Sequence, residues 1–551
     1  MAPFRPRAQL ATHEVANQPP PFEDVNLFES DRALKEAVDK VGGAAHVETL
    51  ADFGARCGSA ETIEWGVLAN RNPPQLRSFD RYGRRLDEVE FHPAYHSLMD
   101  LGISAGVAAG AWRAKEAGHV LHSALMYLMG RADGGVCCPM SMTYAVVPAL
   151  RRDPAIAREW EPRVTAQIYD SRFIPAGEKG GATMGMAMTE KQGGSDVRAN
   201  TTRAVSIGGD EYELHGHKWF CSAPMCDAFL TLAQTDAGLT CFLVPRWRPD
   251  GTRNAFHIMR LKDKLGDRSN ASSEIEYHGA YARRVGEAGR GVKTIIDMVH
   301  HTRLDCIVGS AGLMRAGLAQ AVWHAAHRTA FQKTLIDQPA MTVTLADLAL
   351  EAEAATALAF RIARAFDNAT DATEAAFARL ATPIAKFWIS KRAPGVACEA
   401  LECLGGAGFI EEGPMPRIYR AAPLNAIWEG SGNVIALDIL RAIGRKPESI
   451  DAVQAEILSA RGADRHLDRH IALLDKWFEP GILHEGTARA FAEDMALALE
   501  ATALLKVAPD FIFAGFCAAR LDPENRSLAY GAMTAGIDAG RIVERASPLA
   551  A

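Results

Sequence analysis

One carboxylate in this chain stands where it could move a proton. Glu429 lies in Asn425-Ala-Ile-Trp-Glu-Gly-Ser-Gly-Asn433, between Trp428 and two glycines. An indole beside a carboxylate can shield it from water. Gly430 and Gly432 let backbone approach a ligand closely and take unusual dihedrals. A carboxyl group held against apolar walls has its pKa raised toward neutrality and becomes a usable general base. The same residues also fit a glycine turn that caps a helix from Val434 onward.

Four other stretches bear chemistry. Met186-Ala-Met-Thr-Glu-Lys-Gln-Gly-Gly-Ser-Asp196 offers hydroxyls and backbone N–H groups to an anionic or heteroaromatic ligand. Gly216-His-Lys-Trp-Phe-Cys-Ser222 sets an indole beside small polar residues, where it could stack on a flat cofactor or pack in the core. Arg328-Thr-Ala-Phe331, with Gln338 beyond, carries a guanidinium suited to a pyrophosphate. Its bland reading is a solvated arginine at a helix end. Glu402-Cys-Leu-Gly-Gly-Ala-Gly-Phe409 has the composition of a helix C-cap. The ten cysteines are scattered, with Cys137-Cys138 the one adjacent pair and no C-x-x-C. That spacing argues against a metal site or a disulfide scaffold and for reduced, cytoplasmic thiols.

The elements that must position these residues change period along the chain. Residues 1 to about 30 form an irregular arm containing Pro19-Pro20-Pro21, and Ser30 or Asp31 then caps a helix. Asn72-Pro-Pro74 and Asp80-Arg-Tyr-Gly83 break the chain, and a helical pattern runs from Pro93 to about Ile168. Residues 1–183 are thus expected to be all-helical. Thr202–Ile207 with Glu211–Leu214, and Ala228–Gln234 with Leu239–Val244, read as hairpins, and Ser273–Tyr277 as a further strand. Residues 184–290 are expected to form a small antiparallel barrel or sandwich. From Gly291 the period is helical again, with one long helix from Val292 to about Phe331. Helices continue through 291–443 and again through 444–551.

The bulk numbers set bounds. A chain of 551 residues, 48% hydrophobic and 23% charged, holds roughly three or four domains. A net charge of -7 excludes a chain built as a whole to coat nucleic acid. No apolar run approaches the roughly 20 residues of a membrane span, and the start has no secretory pattern. From Arg441 onward there are thirteen basic and sixteen acidic residues, a net of -3. Arg461, Arg465 and Arg469 are spaced for one helical face, with Asp464 and Asp468 interleaved to pair within the helix.

Taken together and in this order, the stretches resemble the acyl-CoA dehydrogenase flavoprotein family. T-E-K-Q-G-G-S-D-V, G-H-K-W-F, L-K-D-K-L-G-x-R-S-N-A-S and N-x-I-W-E-G-S-G-N are similar to its adaptive-response, AidB-like branch, as is the helical block after Ile443. The resemblance implies a mostly α fold with a central β-barrel: a helical domain, the barrel, a four-helix bundle and an additional C-terminal helical domain. It implies FAD between barrel and bundle, and a homotetramer. Glu429 would remove the α-proton of an acyl-CoA, short or branched, as hydride leaves the β-carbon. The flavin would be contacted by Met186, Met188, Thr189, Gly194, Ser195, Trp219, Cys221 and Ser222. Arg328, Phe331 and Gln338 would serve the pyrophosphate region of a neighbouring subunit's cofactor. Glu402, Gly405 and Gly406 would pass close to it, and Trp428, Gly430, Ser431 and Asn433 would flank it. No metal is implied, and an electron-transfer acceptor would be needed. Two alternatives stand beside this one. The first is an alkylation-response flavoprotein that mainly binds double-stranded DNA. The second is a flavin oxidase on a non-CoA substrate, weakened by Glu at 429. The chain departs from the family pattern at Glu402 (usually Gln), Gln332 (usually Gly), Gln338 (one position early, before Pro339) and Trp428 (usually Tyr).

Overall fold

The computed structural model describes residues 6–525, 527–533 and 536–550. Asp31 caps the first helix, accepting the Leu34 N–H at 3.2 Å. Helices α1 to α3 (Arg32–Val38, Val47–Cys57, Ala60–Arg71) lead to a feature that corrects the all-helical expectation. β1 (Gln75–Phe79) and β2 (Arg85–Glu90) form an antiparallel hairpin. Asp80 closes its turn by accepting the N–H groups of Tyr82 and Arg84, with Gly83 at a φ of 82°. β1 alternates exposed and half-buried residues and β2 buries only Asp87 and Val89, so few apolar residues mark their alternation. Helices α4 to α9 (Pro93–Ala105, Gly110–Arg113, Gly118–Ala132, Gly134–Ala145, Val147–Leu150, Pro154–Val164) complete the first helical block.

The strands follow: β3 (Met184–Ala187), β4 (Arg203–Gly208), β5 (Glu211–Ser222), β6 (Ala228–Thr235), β7 (Gly238–Pro245), β8 (Phe256–Leu261) and β9 (Ser272–Val285). The two expected hairpins are β4–β5 and β6–β7. β5 pairs with β9, β9 with β7, and β6 with both β7 and β4. β3 lies parallel to β6, and β8 antiparallel to β9. The sequence reading missed β3 and β8. β3 is four buried residues with no alternation to read.

Helix α10 (Gly291–His327) spans 37 residues and stops four short of the expected Phe331. Arg328 is extended, and Phe331 and Gln332, at φ of 51° and 64°, turn a small hairpin, β10 (Thr329–Ala330) with β11 (Lys333–Thr334). Arg328 is therefore not a cation in a helix's last turn. α11 (Pro339–Asp367) and α12 (Ala372–Cys403) pack along α10. α13 (Gly406–Phe409), α14 (Met415–Ala421) and α15 (Gly432–Arg445) follow.

The final helices are α16 (Pro447–Leu458), α17 (Arg465–Leu474), α18 (Ala488–Val507), α19 (Asp510–Phe516) and α20 (Ala539–Ala546). They are tied to the bundle by buried charges. Arg520 bridges Asp347 and Glu351, and Arg545 bridges Glu353 and Glu36. A small cleft beside Asp31, Arg315, Glu353 and Arg545 belongs to this ionic network. The arginine stripe needs correction. Arg461 lies in the turn before α17, and Gly462, at a φ of 88°, separates it from Arg465 and Arg469. Asp464 caps α17 and Asp468 accepts the Gly462 N–H, so neither forms the expected intrahelical ion pair. Among the described residues no helix is long and apolar enough to cross a membrane.

Candidate active site

The Trp428-Glu429-Gly430 backbone is held open by two cations. Lys386 of α12, 1% exposed, donates to Trp428 O at 2.9 Å and to Gly430 O. Arg303 of α10 donates to Glu429 O at 3.1 Å and is fixed in turn by Asp438 at 2.7 Å. Three successive carbonyls are therefore anchored, and Glu429 and Gly430 take φ of 56° and 110°. The left-handed conformation is unfavourable for a glutamate without such support. Trp428 is set by its indole N–H, which donates to Asn425 at 2.8 Å.

The groups left over at Glu429 are reactive ones. Its N–H donates to no group among the described residues. Its Oε2 is buried without a hydrogen-bond partner, although the residue as a whole is only partly buried. Burial pushes the carboxyl up. The Thr302 hydroxyl, Arg303 and Lys386 pull it down, and Asp305 pushes it up again, leaving it above the usual carboxylate range.

The facing wall comes from α7 and β5. The Cys138 thiol, raised by burial to about 12, lies near Ser222 and feels the charge of Glu429. Ser222 also meets Ser272 at 3.0 Å. Trp219 is half-buried, donates its N–H to Thr189 O at 2.8 Å, and has Lys262 Nζ 3.2 Å from its ring centroid. Glu190 organises the loop between. It accepts from Lys218 Nζ at 2.9 Å, from the N–H and hydroxyl groups of Thr201 and Thr202, and from Gln192. Burial alone would raise its carboxyl, but Lys218 and these donors hold it well below the usual range. Met186 and Cys221 are buried, whereas Met188 and Thr189 are partly accessible and Ser195 is exposed. A Cβ on Gly194 would lie 2.4 Å from Thr189 Oγ1, so only glycine fits against that side chain.

The remaining residues singled out in the sequence lie away from the Glu429 loop or at the surface. Phe331 is 92% exposed, and Glu402, Gly405 and Gly406 are exposed. A Cβ on Gly405 or Gly406 would meet nothing within 4 Å. Arg328 donates to Asn17 O at 2.8 Å, Asn17 also binds Thr329, and Gln338 donates to Ala330 O. From Arg303, beside Glu429, to Arg328 is 25 residues of α10, about 37 Å at roughly 1.5 Å per residue. Arg328 thus lies far from Glu429 within one chain. Ser431 begins α15 without a side-chain cap, and Asn433 accepts from Arg489 of α18 at 3.0 Å.

Known proteins match along the chain. The model "Adaptive response protein AidB N-terminal domain" matches residues 17–171, "Acyl-CoA dehydrogenase, middle domain" matches 185–280, and "Acyl-CoA dehydrogenase, C-terminal domain" matches 289–444. The putative acyl-CoA dehydrogenase AidB of Escherichia coli (strain K12) is 46% identical over 84% of this chain and 86% of that protein. The chain belongs to the acyl-CoA dehydrogenase family. It is an AidB-like member of this oxidoreductase family. Acyl-CoA dehydrogenase family member 11 of Caenorhabditis elegans is 32% identical over 77% of this chain and 71% of that protein. The solved structure of Caenorhabditis elegans ACDH-11 in complex with C11-CoA matches with a TM-score of 0.84 at 26% identity, covering 96% of each chain.

Several residues around Glu429 escaped the sequence reading of this acyl-CoA dehydrogenase family member. Thr302, Arg303, Asp305 and Lys386 all surround Glu429. Each lies on a long helix some forty or more positions away, where it looks like one more polar residue. Thr302, Asp305 and Cys306 stand at helical spacing on one face of α10, a stripe that could have been read had the loop's packing partner been known.

Proposed function

We propose that this protein is an FAD-dependent acyl-CoA dehydrogenase in which Glu429 removes the α-proton of an acyl-CoA thioester. The carrying observation is the buried, unpartnered Glu429 Oε2 with its carboxyl raised by burial. Such a group takes a proton far more readily than a solvated carboxylate. Its unused N–H is suited to donate to the thioester carbonyl, which favours enolate character as the proton leaves. Trp428 limits the room beside the base and favours short or branched acyl groups. The ACDH-11 complex with C11-CoA supports the thioester class.

The donor set fits a flavin. Trp219 offers a flat, partly exposed indole, Thr189 and Ser222 offer hydroxyls, and Gly405 and Gly406 leave an open backbone surface. FAD, when bound, supplies the acceptor for the hydride that leaves the β-carbon. Met186, Met188, Thr189, Gly194, Ser195, Trp219, Cys221, Ser222, Trp428, Gly430, Ser431 and Asn433 would line it from one subunit. Arg328, Phe331, Gln338, Glu402, Gly405 and Gly406 would reach it from another. The separation of about 37 Å along α10 supports that division, and with it a homo-oligomer, which we take as a tetramer. The strand pairings that return from β7 to β6 support the β-barrel reading of residues 184–290, between helical domains at 1–183 and 291–443 and an additional one at 444–551. The alternative, DNA binding through residues 444–551, has no helix-borne arginine stripe to support it.

The experiment is an anaerobic titration of the purified protein with acyl-CoAs while the oxidised-flavin absorbance is followed. Bleaching by one acyl class supports the reading. A flavin that no acyl-CoA bleaches refutes it.

A further inference from the structure

Behind Glu429 stands a second carboxylate with an unused oxygen. His122 of α6 is fully buried, its Nδ1 2.6 Å from Val107 O and its Nε2 2.7 Å from Asp305 Oδ1. A carbonyl can only accept, so Nδ1 carries a hydrogen. The short Nε2–Oδ1 contact then needs a second hydrogen of its own, on one partner or the other. Tyr144 stacks on the imidazole with ring centroids 3.5 Å apart and fixes its plane. The pair is thus locked, with Asp305 Oδ1 engaged and Oδ2 free.

Asp305 Oδ2 is buried and makes no hydrogen bond, although the residue is only 7% exposed. Its place in the fold is the wall of the Glu429 site. Thr302, one turn earlier on α10, lies beside Glu429 and lowers its carboxyl. Gly309, one turn later, has no side chain where a Cβ would stand 3.4 Å from Asn425 of the Glu429 loop. The intervening Cys306 feels both Glu429 and Asp305. Two buried carboxylate oxygens, Glu429 Oε2 and Asp305 Oδ2, are therefore left unpaired on groups close enough to feel each other's charge. Glu429 Oε2 is accounted for by the base role proposed above. Asp305 is not, and a buried acceptor without a donor is unfavourable.

We infer that the acyl group taken into this site carries a hydroxyl that donates to Asp305 Oδ2. This rests on the acyl-CoA reading of the Glu429 site and narrows it to hydroxylated acyl tails. The base and the tail acceptor then have separate tasks: Glu429 acts beside the thioester, while Asp305, held by His122, selects what lies further along the chain. A site that hydrogen-bonds a substrate hydroxyl discriminates strongly against the analogue lacking it, because its own polar group is then left unpaired.

The test is calorimetric binding of paired S-alkyl-CoA thioethers, with and without a terminal hydroxyl, at four to eight carbons, to the full-length flavin-loaded protein. Thioethers cannot be dehydrogenated, so affinity is read apart from turnover. The expected result is a preference of about tenfold or more for the hydroxylated member at one chain length. Asp305→Leu should erase that preference. Asp305→Ala, which also removes the acceptor, should erase it too if the leucine variant folds poorly. Equal affinities at every length in the wild-type protein overturn the inference, as does a preference that Asp305→Ala leaves unchanged. A protein that prefers the hydroxylated thioethers but whose flavin no acyl-CoA bleaches refutes the dehydrogenation reading and leaves this one standing. Bleaching by plain acyl-CoAs with no preference within the pairs refutes this inference alone.

Discussion

Lys386→Met tests whether buried cations set the shape and acidity of the Glu429 loop. Methionine keeps the length and apolar stem of lysine and removes its charge and donors. The carbonyls of Trp428 and Gly430 then lose their donor. A lost hydrogen bond at a partly buried acceptor costs about 1 kcal/mol, so the pair costs about 2 kcal/mol, offset in part because an ammonium is no longer buried. Because Arg303 still holds the Glu429 carbonyl, the change should loosen the loop rather than unfold the bundle. A local cost of about 2 kcal/mol raises the opening equilibrium about 30-fold. Hydrogen exchange of a peptide covering 425–433, read by mass spectrometry, should show that loss of protection while peptides of α10 and α11 stay unchanged. Charge adds a second readout. Lys386 lowers the Glu429 carboxyl, and the base must be ionised to act, so flavin reduction should rise with pH through the carboxyl's pKa. Removing Lys386 should move that limb to higher pH. Unchanged protection of 425–433, or a limb displaced to lower pH, would refute the reasoning.

Glu429→Gln should leave bound flavin intact and slow its reduction by acyl-CoA by about a thousandfold or more, measured in anaerobic stopped flow. The same variant should melt higher than wild type at neutral pH but not in acid. The folded-state carboxyl is raised, so the folded protein is penalised as pH climbs from about 4.3 through the folded value. Glu190→Gln leaves Lys218 buried without its anion and should cost about 3–5 kcal/mol, seen as a lower melting temperature and flavin release on dilution. That contribution is full above the unfolded carboxyl pKa of about 4.3 and lost as pH falls, because the Glu190 carboxyl is held low. Phe331→Asp, a change at a side chain exposed in the single chain, should leave the monomer folded by circular dichroism. It should lower both the assembly mass in light scattering and the flavin content. An unaltered mass would argue against a partner at that surface.

The parts of the fold that were legible in the sequence are those where one period runs long enough to outweigh noise. The 37 residues of α10 contain no proline, and Gly208-Gly209-Asp210 marks the turn between β4 and β5. Where the period is short or carries no apolar contrast, the reading fails for a physical reason. β3 is buried throughout, β1 has no buried residue, and β2 buries one polar and one apolar residue. The arginine stripe failed differently. A spacing of four describes one face only if the helix is continuous, and Gly462 takes a left-handed turn between the first arginine and the second.

The site shows the same limit at a higher level. Motif residues could be recognised one segment at a time, because each is a local pattern of glycines, an aromatic and a hydroxyl. What makes Glu429 unusual is not local. Its carbonyl neighbours are anchored from α10 and α12, and its acidity is set by Thr302, Arg303, Lys386 and Asp305. The motif resemblance already assigns Arg328, Phe331 and Gln338 to a neighbouring subunit's cofactor, but it gives no distance. The length of α10 separates Arg328 from Arg303, beside the base, by about 37 Å within the chain. Helix geometry thus gives that expectation a physical reason that no motif carries. The N-terminal arm sharpens that argument. Asn17 and Gln18 hold Arg328 from the side, and Trp323 donates to Pro20, so Arg328 is oriented by the arm of its own chain. A phenylalanine exposed three residues beyond that fixed arginine is costly to leave bare in a monomer, which is why Phe331→Asp reads directly on whether another chain covers it.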